Sequence, residues 1–216
     1  MIARRAVLLG FSAAATVAVL ASGPAAAAGK SVDAKKVFPY LDAYLKLPAA
    51  ERSRFRLTYL FTRDGKPLAA PVWLIDGAAK TPIPLRGDGA AARLPTLAQL
   101  DGAKVQIDVE EGVKLGVHMI MEPTLAPAAD LDARELAAAY AQCTVGIKKS
   151  LGILAMAMPK LSGVVFVGVP SGEAELADGR RVPLPVVKGA VTFMPSALPG
   201  ARVLHFPKAP SRVEIG

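Results

Sequence analysis

The chain has 216 residues, 52% of them hydrophobic and 20% charged, with a formal charge of +8. Its one cysteine, Cys143, excludes an intramolecular disulfide, so stability has to come from a buried core. The basic pairs Lys35-Lys36, Lys148-Lys149 and Arg180-Arg181 are scattered and not interleaved with aromatics, which argues against nucleic acid as a partner.

In chain order, Arg4-Arg5 is followed by the apolar run Ala6 to Leu20, then Gly23-Pro24, then Ala25 to Ala28 before Gly29. A short positive stretch, a hydrophobic run shorter than a membrane span, a helix breaker and an Ala-x-Ala site predict a cleavable export signal over 1–28. Cleavage is expected after Ala27 or Ala28, with the working protein in the periplasm or outside the cell. The Ala-, Pro- and Gly-rich usage suits a bacterial chain, and Arg4-Arg5 leaves both the general and the twin-arginine export routes open. Losing 1–28 removes two arginines and no acid, which lowers the charge from +8 to +6. The mature chain is expected to contain no transmembrane segment.

A helix is predicted from Asp33, with Val37, Leu41, Tyr44 and Leu45 at helical spacing and Pro39 either kinking it or opening its regular part. From Arg56 the period becomes two, with Leu57, Tyr59 and Phe61 on one face and Arg56, Thr58 and Thr62 on the other. Asp64-Gly65 reads as a hairpin turn, and Val72 to Ile75 as a buried strand ended by Asp76-Gly77. Val105, Ile107 and Val109 alternate with polar residues, as do Leu115, Val117, Met119 and Met121, so these two runs are expected to pair as a hairpin around Glu111-Gly112. Residues 123–131 read as a linker. A long helix is predicted around 132–158, with the stripe Leu136, Tyr140, Cys143, Ile147, Leu151, Leu154 and Met158, widened by Val145 and stopped by Pro159. Short strands with Gly turns fill the remainder.

Two stretches resemble each other. Asp76-Gly77, Pro82-Ile83-Pro84-Leu85 and Ala103-Lys104-Val105 recur in the same order as Asp178-Gly179, Pro183-Leu184-Pro185-Val186 and Ala201-Arg202-Val203. The fold expected is therefore α+β and β-rich, a tandem duplication of helix-plus-antiparallel-sheet units over 29–122 and 132–216 that can pack as one pseudo-symmetric domain. Proline cannot donate to a central ladder, so both Pro-x-Pro strands are expected at sheet edges.

Chemistry is sparse. His118 and His205 lack a cysteine or acidic cluster at ligand spacing, so no metal site is expected, and no cofactor or catalytic residue is assigned. Cys143 sits on the apolar stripe and reads as a small core residue. Asp108, Glu110, Glu111 and Glu122 gather near strand ends, where solvated acids are ordinary. Gly146 and Gly152 imply close approach to the long helix. Leu151, Leu154, Met156 and Met158 are the candidate ligand-binding residues, because methionine adapts to irregular apolar ligands. The leading expectation is an exported binding or accessory protein for a lipid-like ligand, an anionic envelope component or a protein partner. The alternative is an exported, hydrolase-like enzyme with a site assembled from scattered residues, and a third is a structural module docking through its edge strands.

Overall fold

The structure is a computed structural model that describes residues 30–110, 112–152 and 161–216. Strand β1 (Lys30–Asp33) leads into helices α1 (Ala34–Val37) and α2 (Leu41–Lys46). One helix was expected here. Pro39 lacks the N–H a continuous helix needs, and Tyr40 sits in the left-handed region at φ 63°, so the helix breaks between them. The Tyr59 hydroxyl fastens the break by donating to the Pro39 carbonyl at 2.6 Å.

Next come β2 (Phe55–Arg63), β3 (Lys66–Pro67), β4 (Val72–Asp76), β5 (Ala79–Pro82), α3 (Leu97–Leu100), β6 (Lys104–Ile107) and β7 (Leu115–Pro123). The Asp64-Gly65 turn has φ of 50° and 79°, the geometry of a tight hairpin between β2 and β3. The remaining elements are β8 (Asp130–Asp132), α4 (Ala133–Leu151), β9 (Val164–Val167), β10 (Glu173–Leu176), β11 (Arg181–Pro183), β12 (Val186–Val187), β13 (Ala190–Phe193), β14 (Ala201–His205) and β15 (Arg212–Ile215). The molecule is thus β-rich α+β.

Among the described residues three antiparallel sheets form. Two have four strands, β1-β6-β4-β5 and β8-β14-β10-β11, and the third has seven, β3-β2-β7-β15-β9-β13-β12. The long sheet takes strands from both halves of the chain and is joined in the middle where Met121 of β7 faces Ile215 of β15. Strands β5 and β11, which end in Pro82 and Pro183, both lie at sheet edges, as their missing N–H groups require.

The expected hairpin of β6 with β7 does not form. Strand β6 pairs with β1 and β4, while β7 pairs with β2 and β15. Alternation identifies which side chains face the core but carries no information about which strand is the partner.

The two halves repeat one hydrogen-bonding scheme. The four-stranded sheets have the same strand order by position in each half. Asp33 stands opposite Lys104 and Val32 opposite Val105, just as Asp132 stands opposite Val203 and Leu131 opposite Leu204. Ile83 N–H donates to Val72 and Ala92 to Pro84, while Leu184 donates to Gly172 and Thr192 to Pro185. A bulge at Glu175/Leu176 leaves Arg202 without an opposite residue, so Leu204, rather than the sequence-matched Val203, takes the place of Val105.

Each half has its own core. Phe38, Tyr59, Phe61 and Val105 anchor the first, and Leu136, Phe166, Phe193 and Leu204 the second, each of these side chains at most 1% exposed. A third cluster, Leu47, Phe55, Ala139, Cys143 and Ile215, lies at the junction under α4. Gly146 permits that packing, because a Cβ there would come within 3.0 Å of Phe55 Cζ and 3.4 Å of Leu47 Cδ1. Helix α4 is capped at its start by the Asp132 carboxylate, which accepts from the N–H groups of Arg134 and Glu135. It ends at Gly152, whose φ of 51° suits a glycine, so Gly152 is a terminator and not an interior residue. Val145, counted in the buried stripe by its spacing, is 61% exposed.

Candidate functional site

Side chains alternate across β2, so Phe55, Leu57, Tyr59 and Phe61 enter the cores while Arg56 and Thr58 point to the other face of the long sheet. Glu122 of β7 lies opposite Arg56 on that face. The Met121–Ile215 register brings Glu214 of β15 beside Glu122, with Arg212 one step along the same face. Two carboxylates on neighbouring strands repel unless cations offset them. Three arginines do so here.

Glu122 is the buried centre, its side chain 5% exposed. One of its oxygens accepts from Arg56 Nε at 3.0 Å and from Thr58 Oγ1 at 2.8 Å. Its other oxygen faces Arg86 at 3.7 Å. Glu214 accepts from Arg212 Nε at 2.6 Å. Asp88 accepts from the Ala90 N–H at 3.1 Å and stands 3.5 Å from Arg86 and 4.0 Å from Arg212. Arg56, Arg86, Asp88, Glu122 and Arg212 line a cleft of about 310 Å³ whose remaining wall is Gly87, Pro123, Leu125, Pro127, Ser211 and Val213. The contacts are of two kinds. Arg56–Glu122 and Arg212–Glu214 are hydrogen-bonded posts, whereas the Arg86 and Asp88 pairs are longer and looser.

A second groove, of about 600 Å³, adjoins the first. It is lined by Pro67, Pro71, Trp73, Pro82 and Pro84, and it shares Arg86 and Gly87 with the cleft. The Trp73 indole is held by donation to Asp108 at 2.9 Å and carries Lys80 Nζ at 4.7 Å over its ring.

The structure separates the acids that the sequence drew together. Asp108 serves Trp73 and Gln106, Glu110 faces Arg63 at 3.6 Å, and Glu122 belongs to the cleft, while Glu111 lies outside the described residues. His118 is half-buried opposite Leu60, beside the Gly116 stretch of β7. His205 is clamped between Asp130 at 2.6 Å and Glu175 at 3.1 Å, with Arg181 behind Glu175 at 3.6 Å. Among the described residues no group of three or more His, Cys, Asp or Glu is placed to hold a metal ion. Cys143 is fully buried, donates to Met121 Sδ at 3.3 Å, and its thiol is pushed up to about 12 by burial. That is the environment of an inert core thiol.

Of the apolar candidates, Leu151 is the last residue of α4, while Leu154, Met156 and Met158 lie outside the described residues. Beside the end of α4, Ile147 and Ser150 meet Tyr40, Tyr44, Met119 and Met121 around an apolar hollow of about 40 Å³, room for about one water-sized group. Arg56, Arg86, Asp88, Arg212 and Glu214 were not singled out from the sequence. The available signal was the placement of Arg56 on the wet face of a long apolar strand; its partner lies 66 residues away in the chain.

Among the described residues no helix is long and apolar enough to cross a membrane. Set against known proteins, the chain matches no family model, no curated protein and no solved structure.

Proposed function

We propose that this is an exported, non-enzymatic binding protein built by tandem duplication, with its ligand site in the cleft where the two halves meet. The observation that carries the reading is the convergence of Arg56, Arg86 and Arg212, from both halves of the chain, on one cleft around the buried Glu122. The Arg56 and Arg212 guanidiniums, each hydrogen-bonded to its own carboxylate, are preorganised, so a ligand need not order them. Support for the duplication is the shared strand order and the repeated hydrogen bonds at Ile83/Leu184 and Ala92/Thr192. Ancestrally equal halves leave a junction that belongs to neither, a common place for a ligand.

Export is supported by the order of charge, apolar run and Ala-x-Ala in residues 1–28. The destination is the periplasm or the cell exterior of a bacterium. A charge of +6 after cleavage favours an anionic envelope component over a neutral lipid.

The test is N-terminal sequencing and native mass spectrometry of protein released gently from the extracytoplasmic fraction. The expected result is a chain starting at Ala28 or Gly29 that carries a small-molecule adduct, which is lost from Arg56→Gln. Absence of the protein from that fraction refutes export, an uncleaved chain refutes the cleavable signal, and an adduct retained by Arg56→Gln refutes the location of the site.

A further inference from the structure

We infer that Arg86 is the gripping residue of this cleft and that its ligand carries a phosphate or carboxylate group on a larger body. The inference rests on the binding-protein reading above and adds the chemistry of the ligand.

The backbone of Arg86 is pinned at both ends of a tight loop, its N–H donating to Ala90 and its carbonyl accepting from Gly89, both at 2.8 Å. The side chain is not pinned. Its two acidic neighbours stand at 3.5 and 3.7 Å, beyond the roughly 2.7–2.9 Å of a charge-assisted hydrogen bond. Both neighbours are satisfied without it. Glu122 keeps Arg56 and Thr58, and Asp88 keeps the Ala90 N–H. An oxyanion entering the cleft therefore draws on a forked, under-used donor and leaves no carboxylate stranded. Arg56, which donates to Glu122 only through Nε, has its Nη groups for the same oxyanion.

The body of the ligand has somewhere to go. The second groove begins at Arg86 and Gly87 and runs past Trp73 between proline rings that offer no N–H donors. Such a wall favours apolar and ring-face contacts and does not hydrogen-bond a backbone. Arg86 thus stands where a polar cleft and an apolar groove meet, at the point where an anionic group joins the rest of a molecule.

Isothermal titration with inorganic phosphate, glycerol 3-phosphate and glucuronate tests this, with methyl glucoside as the uncharged comparison. One of the two organic anions is expected to bind about tenfold or more tightly than inorganic phosphate, and methyl glucoside is expected not to bind. Arg86→Gln is expected to weaken that binding by about tenfold or more, the loss of a charge-assisted pair. Arg86→Lys, which keeps the charge but not the fork, is expected to lose at least about threefold and serves if Arg86→Gln does not fold. Arg181→Gln, whose partners are Glu173 and Glu175 on another sheet, is expected to bind as the parent does. Four outcomes overturn the inference: no anion binding below about 10 mM, inorganic phosphate binding as tightly as the organic anions, equal weakening by Arg181→Gln, or unchanged affinity in both Arg86 variants. A copurified ligand held equally by parent and Arg86→Gln overturns the grip alone and leaves the binding-protein reading in place.

Discussion

Replacing Glu122 by alanine removes the centre of the cleft and reports directly on whether the cluster is held as described. The side chain is 5% exposed and serves Arg56, Thr58 and Arg86. Breaking a fully buried ion pair costs about 3–5 kcal/mol. That ceiling does not apply here, because Arg56 and Arg86 are 47% and 43% exposed and recover water when the carboxylate goes. Thr58 is 5% exposed and loses its acceptor, a cost of about 1–3 kcal/mol. Relief of the repulsion between Glu122 and Glu214 offsets a little of this. A net loss of about 2 kcal/mol follows for Glu122→Ala. Glu122→Gln keeps an acceptor for Thr58 and Arg56 and should lose only about 1 kcal/mol. Urea unfolding followed by the fluorescence of Trp73, the one tryptophan, measures both. A loss below about 0.5 kcal/mol for Glu122→Ala, the range of an ordinary surface change, would refute the buried-centre geometry.

Gly146→Ala should bring no gain although alanine is the better helix former by about 1 kcal/mol, because the new Cβ meets Phe55 Cζ at 3.0 Å. Gly146→Val should cost about 3 kcal/mol, and thermal melts of the two variants decide it; a more stable Gly146→Ala would show that α4 does not pack closely there. Cys143 should resist thiol reagents at pH 8 until urea is added. Its thiol is raised from 9.0 to about 12, so the folded state holds its proton more tightly than the unfolded state. The stability it contributes is therefore complete below about pH 9 and drains away as pH rises towards 12, by about 1.4 kcal/mol per pH unit. Tyr59, also raised by burial, adds to that alkaline loss, and Cys143→Ala should flatten the decline seen in urea titrations between pH 9 and 11. Asp132→Ala removes the acceptor for two N–H groups at the start of α4 and should cost about 1 kcal/mol by the same urea assay, with Asp132→Asn largely neutral.

The matching signals in the two halves were legible because turns and prolines impose local geometry. Asp-Gly and Pro-x-Pro have few backbone solutions, so they mark in each half where the chain must turn or stop pairing. The match at Val105 slipped by one residue because the bulge opposite Glu175 and Leu176 leaves no mark in an apolar-polar pattern. Helix α4 was legible from Leu136, Tyr140, Cys143 and Ile147, yet its terminator was misread. Gly152 looks like any interior glycine until its φ of 51° is known. Val145 was misplaced for a related reason: helical spacing sets the direction of a side chain but not how far the neighbouring sheet extends to cover it.

The cleft was almost wholly illegible. Glu122 was grouped with Asp108 and Glu110 because they are close in sequence, while its true partners, Arg56, Thr58 and Arg86, are brought to it by strand pairing and by a loop of the first half. Glu214 and Arg212 come from the far end of the chain, through the single junction of β15 with β7.

The sequence by itself determined the β-rich α+β composition, most of the turn positions, the edge placement of the proline strands and the burial of Cys143, all of which follow from local interactions. Tertiary structure alone decided that β6 and β7 belong to different sheets, that the two halves share one seven-stranded sheet, and that three arginines surround Glu122. Local patterns record which side chains avoid water. Pairing partners are chosen by the whole chain at once, and a site built on strand pairing appears only when that choice has been made.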